Sequence, residues 1–152
     1  AAVVGLFEQT IAQVTALAVL LPVVAGQSGN AGAQALAITM RGLALREITL
    51  RQWPRVTRKE VVAGLLNGIG VAATCGLGVF VWSQSLGLVA VICTSMILAM
   101  IAAGFAGAVI PMLLVRFGQD PATSSSIILT TVTDVAGFFS FLGIATLLMG
   151  ML

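Results

Sequence analysis

The sequence predicts an all-α integral membrane protein with four transmembrane helices. Hydrophobic residues make up 59% of the chain and charged residues 8%, and the mean hydropathy is +1.14. Soluble domains carry roughly 25% charged residues, so this chain has too few charges to cover a core with a solvated surface. Four stretches also reach the ~20 mostly apolar residues that a spanning helix needs.

The four predicted spans follow one another within a single transmembrane domain, residues 1–152. The first is glycine-rich and broken, since Pro22 and "AGQSGNAGAQ" interrupt its inner half. Pro and clustered Gly weaken the helical hydrogen-bond ladder. A polar segment, 41–60, is expected to be a cytoplasmic loop with a short helix in the membrane interface. The opening "AAVVGLFE" is interpreted as the tail of an earlier helix. The spans cover about 10–40, 61–82, 86–115 and 125–149.

The positive charges predict how the chain is oriented. Six of the seven Lys and Arg residues lie in segment 41–60, and the seventh, Arg116, lies between the third and fourth spans. With four spans, both segments lie on the same side of the membrane. Positively charged loops tend to stay in the cytoplasm, so we expect both to be cytoplasmic in a multi-pass membrane protein.

The composition also limits the chemistry. The chain has no His and only two Cys, both in apolar stretches, which excludes imidazole catalysis and the usual zinc spacings. We find no paired acids or nucleophile–base pair and therefore expect no enzyme. No nucleic-acid partner is expected either.

Asp134 is the one ionisable residue well inside a predicted span. Ionisable residues at membrane depth are rare and usually face a bundle interior or a water-filled path. Spacings of three and four place four other small or polar residues on the same helical stripe. We interpret this stripe as a path for water or an ion, the alternative being a protonated acid bonded to a neighbouring helix. Its members are Thr123, Ser126, Thr130, Asp134 and Gly137.

The first span supplies a surface to face this stripe. Gly26, Gly29 and Ala33 form a smooth face, which permits close helix packing. An adjacent face carries three amides, Gln27, Asn30 and Gln34. With Asp134 these groups offer only oxygen ligands, which suit hard cations such as Mg²⁺. Because one carboxylate only half balances a divalent ion, we expect two chains to pair about a two-fold axis, the commonest oligomeric symmetry.

Four stretches resemble the membrane domain of the MgtE magnesium channel family, which is related to animal solute carrier family 41. They are "PVVAGQSGNAGAQALA", "RGLAL", "GAVIPMLLVRFGQDPA" and "SSSIILTTVTDVAGFFSFLGIA". The resemblance implies a five-helix domain, of which four helices are visible here. It also implies a cytoplasmic Mg²⁺-sensing region, an N domain with CBS domains, that would precede the first helix and is absent from this sequence.

The function that the resemblance implies is Mg²⁺ transport by a homodimeric channel in the lipid bilayer. Hydrated Mg²⁺, both the transported and the pore-bound ion, would be held by the Asp134 side chain and nearby backbone oxygens. An alternative is a secondary transporter of divalent cations coupled to protons or Na⁺, since such proteins also use broken helices. The implied metal contacts are Asp134, Asn30, Gly29, Thr130 and Gly137, and the implied pore-lining positions are Gly26, Ala33, Thr123, Ser125 and Ser126.

Overall fold

The computed structural model describes residues 2–152, apart from the side chains of Thr123, Ser124 and Met151. This part of the chain is helical and has no strand, and four of its helices, α3 to α6, are long and apolar enough to cross a membrane. The predicted all-α class and the count of four spans are therefore confirmed. The helices are α1 (Ala2–Leu6), α2 (Glu8–Gln13), α3 (Ala16–Ala44), α4 (Trp53–Ser83), α5 (Leu86–Arg116) and α6 (Pro121–Leu147), with 3-10 turns at Leu50–Gln52 and Met149–Met151.

The first predicted span is interrupted at a different place from the one expected. The break lies at Val14 and Thr15, between α2 and α3, whereas α3 runs continuously through Pro22 and the glycine-rich stretch. Pro22 removes one hydrogen bond of the helical ladder. The glycines are spaced three residues apart and are flanked by Ala and Gln, which are good helix formers, and close packing against α5 and α6 favours the helix further. The carbonyls of this stretch therefore lie within an intact helix.

The connection between α3 and α4 is shorter than predicted. Helix α3 continues to Ala44 and α4 already begins at Trp53, so the expected bounds 41–60 are wrong and the connection is 45–52. It contains one short 3-10 helix, Leu50–Gln52, whose position in the membrane interface stays a prediction. Pro54 favours this early start, because proline in the first helical turn has the required φ and no N–H to leave unpaired. The arginines and Lys59 stay exposed on the helix ends and the short connection.

Helix α5 lies at the centre of the bundle and contacts α3, α4 and α6. Glycines bring α4 and α5 together: Gly64 lies against Met100, Gly68 against Ile97, and Gly104 of α5 against the backbone of Glu60. Positions rise along one helix as they fall along the other, so the pair is antiparallel. By contrast, α3 and α4 make few contacts with each other. A cleft therefore lies between them, bordered by α5.

The hydrophobic core packs α3, α5 and α6 against one another, and α3 and α6 carry the candidate site. Its larger cluster includes Leu17, Ile92, Met96 and Phe141, all without exposed surface. Helices α1 and α2 pack on the same end of α6, where the rings of Phe7 and Phe139 meet edge to face at 5.9 Å. A second cluster, Leu36, Ala106, Ile110 and Leu129, lies nearer the other end.

Candidate functional site

The polar stripe of α6 is formed by Ser126, Thr130, Asp134 and Gly137. It is exposed at its Ser126 end and packed against α3 at its Gly137 end. The Ser126 and Thr130 side chains are exposed, Asp134 is partly buried, and Gly137 is buried against α3. Thr130 donates a hydrogen bond to the Ser126 carbonyl at 2.9 Å. Its donor is thus satisfied within the helix, and its oxygen lone pairs remain on the exposed surface.

Asp134 is the charged residue of this stripe, and it has no bonded partner among the described residues. Within the described part of the chain, no side chain forms a hydrogen bond or ion pair with its carboxylate, and α6 has no Lys or Arg. A buried or lipid-facing carboxylate without a partner is costly. The role of Asp134 beside a path for water or an ion stays a prediction.

Helix α3 meets α6 through small residues on both sides. A β-carbon placed on Gly137 would lie 3.2 Å from the Ser28 hydroxyl oxygen, and one on Gly32 would lie 3.1 Å from a methyl group of Thr133. Ser28 itself donates to the Val24 carbonyl at 2.9 Å. Gly137 is thus positioned by close helix packing, and its carbonyl also accepts a hydrogen bond from Ser140 at 3.1 Å.

The small-residue face of α3 lies beside this contact. Gly26 and Gly29 have open space around their α-carbons, and Ala33 is exposed. Nothing in the described chain covers this face, so it is open for a neighbour or an ion path. Its role in a pore stays a prediction.

The amide face of α3 points away from α6. Gln27, Asn30 and Gln34 line a cleft of about 390 Å³ between α3 and α4, opposite Asn67 of α4. The structure therefore does not bring Asn30 together with Asp134 within one chain. A shared contact between these two residues would need a second chain.

The remaining predicted pore positions lie at the other end of α6. Ser125 is almost fully buried, with its hydroxyl 3.7 Å from the Met40 sulfur, and it donates to the Pro121 carbonyl. Ser125 thus belongs to the α3–α6 contact rather than to an open surface. The side chain of Thr123 lies outside the described residues.

Three further polar residues were not singled out by the sequence reasoning. Thr133 is buried and donates to the Leu129 carbonyl at 3.0 Å. Glu60 is 5% exposed although it was assigned to a loop, and Asn67 lines the cleft beside it. The seven-residue spacing of Glu60 and Asn67, two helical turns, was the available signal that they share a face.

The arrangement can offer oxygen ligands but not a carboxylate cage. In the described residues no three His, Cys, Asp or Glu side chains come close enough to hold a metal ion together. A cation beside Asp134 would meet one carboxylate, hydroxyl oxygens and water. That set suits an ion that keeps most of its hydration shell, as Mg²⁺ does in proteins.

Comparison with known proteins places this bundle in a family. The family model described as MgtE, divalent cation transporter, matches residues 21–144. The magnesium transporter MgtE of Thermus thermophilus is 38% identical over 143 residues, which cover 94% of this chain and 32% of that protein. The corresponding proteins of Enterococcus faecalis and Bacillus subtilis are 34% and 31% identical and cover 98% and 95% of this chain. The chain spans about a third of the length of these relatives.

Four helices that are long and apolar enough to cross a membrane define a multi-pass helical membrane protein. The match extends across all four spanning helices and includes Asp134. The chain belongs to the MgtE family of divalent cation transporters.

Proposed function

We propose that this chain forms a membrane-spanning pore for Mg²⁺, with Asp134 as the charged ion contact. The observation that carries the proposal is the unpaired Asp134 carboxylate on a stripe that is open over Ser126 and Thr130. The names of the relatives, magnesium transporters, support Mg²⁺ as the cargo. The transported ion would be substrate and would also occupy the pore.

The geometry favours a hydrated ion. Asp134 supplies one negative charge, and the neighbouring Thr130 hydroxyl offers lone pairs on the same exposed surface. Magnesium gives up its water reluctantly and is bound through few carboxylates. Contacts from Gly29, Asn30 and Gly137 remain part of the proposal, with Gly26, Ala33 and Ser126 along the path.

A homodimer would complete the site. Two copies of Asp134 across a two-fold axis balance the charge of one divalent ion, and the second chain would cover the open stripe of the first. Since Asn30 and Asp134 lie on different faces of one chain, a dimer is also the way to bring them near one ion. The membrane would be the bacterial inner membrane, with the 45–52 connection in the cytoplasm.

The experiment compares Mg²⁺ flux into liposomes that hold the wild-type chain, Asp134→Asn or Asp120→Asn. Asp134→Asn keeps the shape and removes the charge, so we expect Mg²⁺ entry, read by an enclosed fluorescent indicator, to fall about tenfold or more, a change of ~1.4 kcal/mol or above. Asp120→Asn is the matched control, because it neutralises an exposed acid at the start of the same helix. Its flux should stay near wild type.

Undiminished Mg²⁺ entry through Asp134→Asn would contradict the role of this acid. The coupled-transporter alternative is separated in the same liposomes. Imposed proton or Na⁺ gradients should leave the wild-type flux unchanged at constant voltage if the pore is passive. A flux that follows either gradient would favour coupling instead.

A further inference from the structure

The cleft between α3 and α4 continues toward the 45–52 connection as a series of three cavities that share polar side chains in a largely apolar lining. The amide-lined part, about 390 Å³, shares Gln34 and Asn67 with a smaller chamber of about 60 Å³. That chamber shares Glu60 with a wide mouth of about 380 Å³, which Glu47, Arg55 and Lys59 also line. A route with both acidic and basic side chains thus leads from the mouth to the chamber, which is hereafter called the Glu60 chamber.

Glu60 is the unusual group in this chamber. The residue is 5% exposed. Its backbone packs against Gly104 of α5, and this contact fixes the position of its α-carbon. In the described chain no side chain forms a hydrogen bond or ion pair with its carboxylate. The exposed ammonium of Lys59, the preceding residue, attracts it only at longer range. The carboxylate oxygens keep some exposed surface toward the cavities. A partly desolvated carboxylate without a bonded partner is costly, so a positively charged partner would be stabilising.

The polar side chains around the chamber can all offer oxygen ligands, provided that Gln34 and Asn67 point their amide oxygens into it. Glu60 contributes a carboxylate, and Gln34 and Asn67 each contribute an amide oxygen. Hard cations prefer such ligands. A water molecule needs about 10–15 Å³ of such space, so the chamber has room for an ion with a few of its waters.

The chamber is separate from the Asp134 surface. On α3, Gln34 faces α4, whereas Gly32 faces Thr133 and Leu129 of α6. An ion in the Glu60 chamber would therefore lie on the opposite side of α3 from the polar stripe. It would not share ligands with an ion at Asp134 in the same chain.

We propose that Gln34, Glu60 and Asn67 form a second cation site, which takes a partly hydrated divalent cation from the side of the 45–52 connection. This inference goes beyond the proposed pore and does not depend on it, because none of its ligands lies on the polar stripe. Neutral donors complete the coordination, and the single carboxylate supplies the charge.

The experiment measures Mg²⁺ binding to the purified full chain in lipid nanodiscs, in the background of Asp134→Asn. Titration calorimetry with Mg²⁺ alone should still show binding in this background. Adding Glu60→Gln, which has nearly the same shape, should weaken that binding about tenfold or more, ~1.4 kcal/mol or above. Adding Glu47→Gln instead, an exposed acid at the mouth, is the matched control and should leave the affinity unchanged.

A second readout guards against a folding effect. A ligand that binds only the folded state raises the thermal midpoint, so Mg²⁺ should raise it for Asp134→Asn and not for Asp134→Asn with Glu60→Gln. Asn67→Leu should reduce the same shift and tests the site without changing the acid.

Loss of all Mg²⁺ binding in Asp134→Asn alone, or equal binding with and without Glu60, would overturn the second site. Stronger binding of Na⁺ than of Mg²⁺ would overturn its assignment to divalent ions. The liposome flux of Asp134→Asn decides the pore proposal separately.

Discussion

At Gly107, in the central helix α5, the backbone of α3 comes so close that a methyl group has no room. A β-carbon there would lie 2.6 Å from the Gly32 carbonyl oxygen and 3.0 Å from the Leu36 backbone nitrogen. Both neighbours are backbone atoms and cannot rotate away. The approach brings α3 against α5 and so helps to place Gly32 against α6.

We expect Gly107→Ala to destabilise the chain, since overpacking a tight contact costs about 1–3 kcal/mol. The measurement is the thermal unfolding midpoint of the solubilised chain. Gly78→Ala is the matched control, because a β-carbon at Gly78 would have no atom within 4 Å and Ala is the better helix former by up to ~1 kcal/mol. Equal midpoints for Gly107→Ala and the wild type would show that α3 can move away at little cost.

At the residue scale, part of the candidate site could be predicted from the sequence. Asp134 was identifiable because an acid in an apolar helix stands out without any knowledge of its neighbours. Asn30 and Glu60 were different, since their roles depend on which helix packs beside α3 and on where α4 begins. Helical spacing shows which residues share a face, but it does not show what that face contacts.

Helix α6, which carries Asp134, begins with a well-formed cap. The Asp120 carboxylate accepts a hydrogen bond from the Ala122 backbone N–H at 2.9 Å, and Pro121 occupies the first turn. Gly118, just before, has a φ of +71°, which glycine adopts without strain. The α5–α6 connection is therefore defined by local interactions.

Asp120→Ala should fray the start of α6, because losing an N-cap side chain costs typically ~1 kcal/mol. Hydrogen–deuterium exchange at the Ala122 amide should become about fivefold faster, the same energy expressed as a rate. Asp120→Asn keeps an acceptor in place and should exchange nearly as slowly as the wild type. If Ala and Asn behave alike, the cap does not stabilise the helix end.

The helices themselves could be predicted better than their ends. Long apolar runs of α4, α5 and α6 are visible in the sequence because lipid requires them. The early start of α4 is not predictable from the apolar pattern, because charged residues such as Arg55 and Arg58 are typical of loops, although a helix can extend beyond the bilayer. The continuity of α3 was missed because Pro22 and the glycines were weighed by local propensity, which tight helix packing overrides.

For the whole molecule, the antiparallel order of the spanning helices has a consequence for topology. The 45–52 and 117–120 connections lie at one end of the bundle, and the 84–85 turn lies at the other. All seven Lys and Arg residues lie at or near the first of these ends. From the positive-inside tendency we expect that end to face the cytoplasm.

Single cysteines in a background without Cys75 and Cys93 would test this orientation. We expect Arg51→Cys and Gln119→Cys to react with a membrane-impermeant maleimide in inside-out vesicles only. Trp82→Cys, exposed near the opposite end, should react in right-side-out vesicles and serves as the matched control. Labelling of Arg51→Cys and Trp82→Cys from the same side would contradict the antiparallel arrangement.

Because the polar stripe of α6 is open, the lipid-to-protein ratio should affect how far the chain self-associates. Ser126 and Thr130 have no cover from the described chain, and hydroxyl and carboxylate groups are poorly solvated by acyl chains. Self-association would hide them, and it follows mass action within the plane of the bilayer. If the chain forms the proposed dimer, diluting it with lipid should therefore drive it toward monomers with a solvated stripe, and the proposed ion flux should fall with dilution.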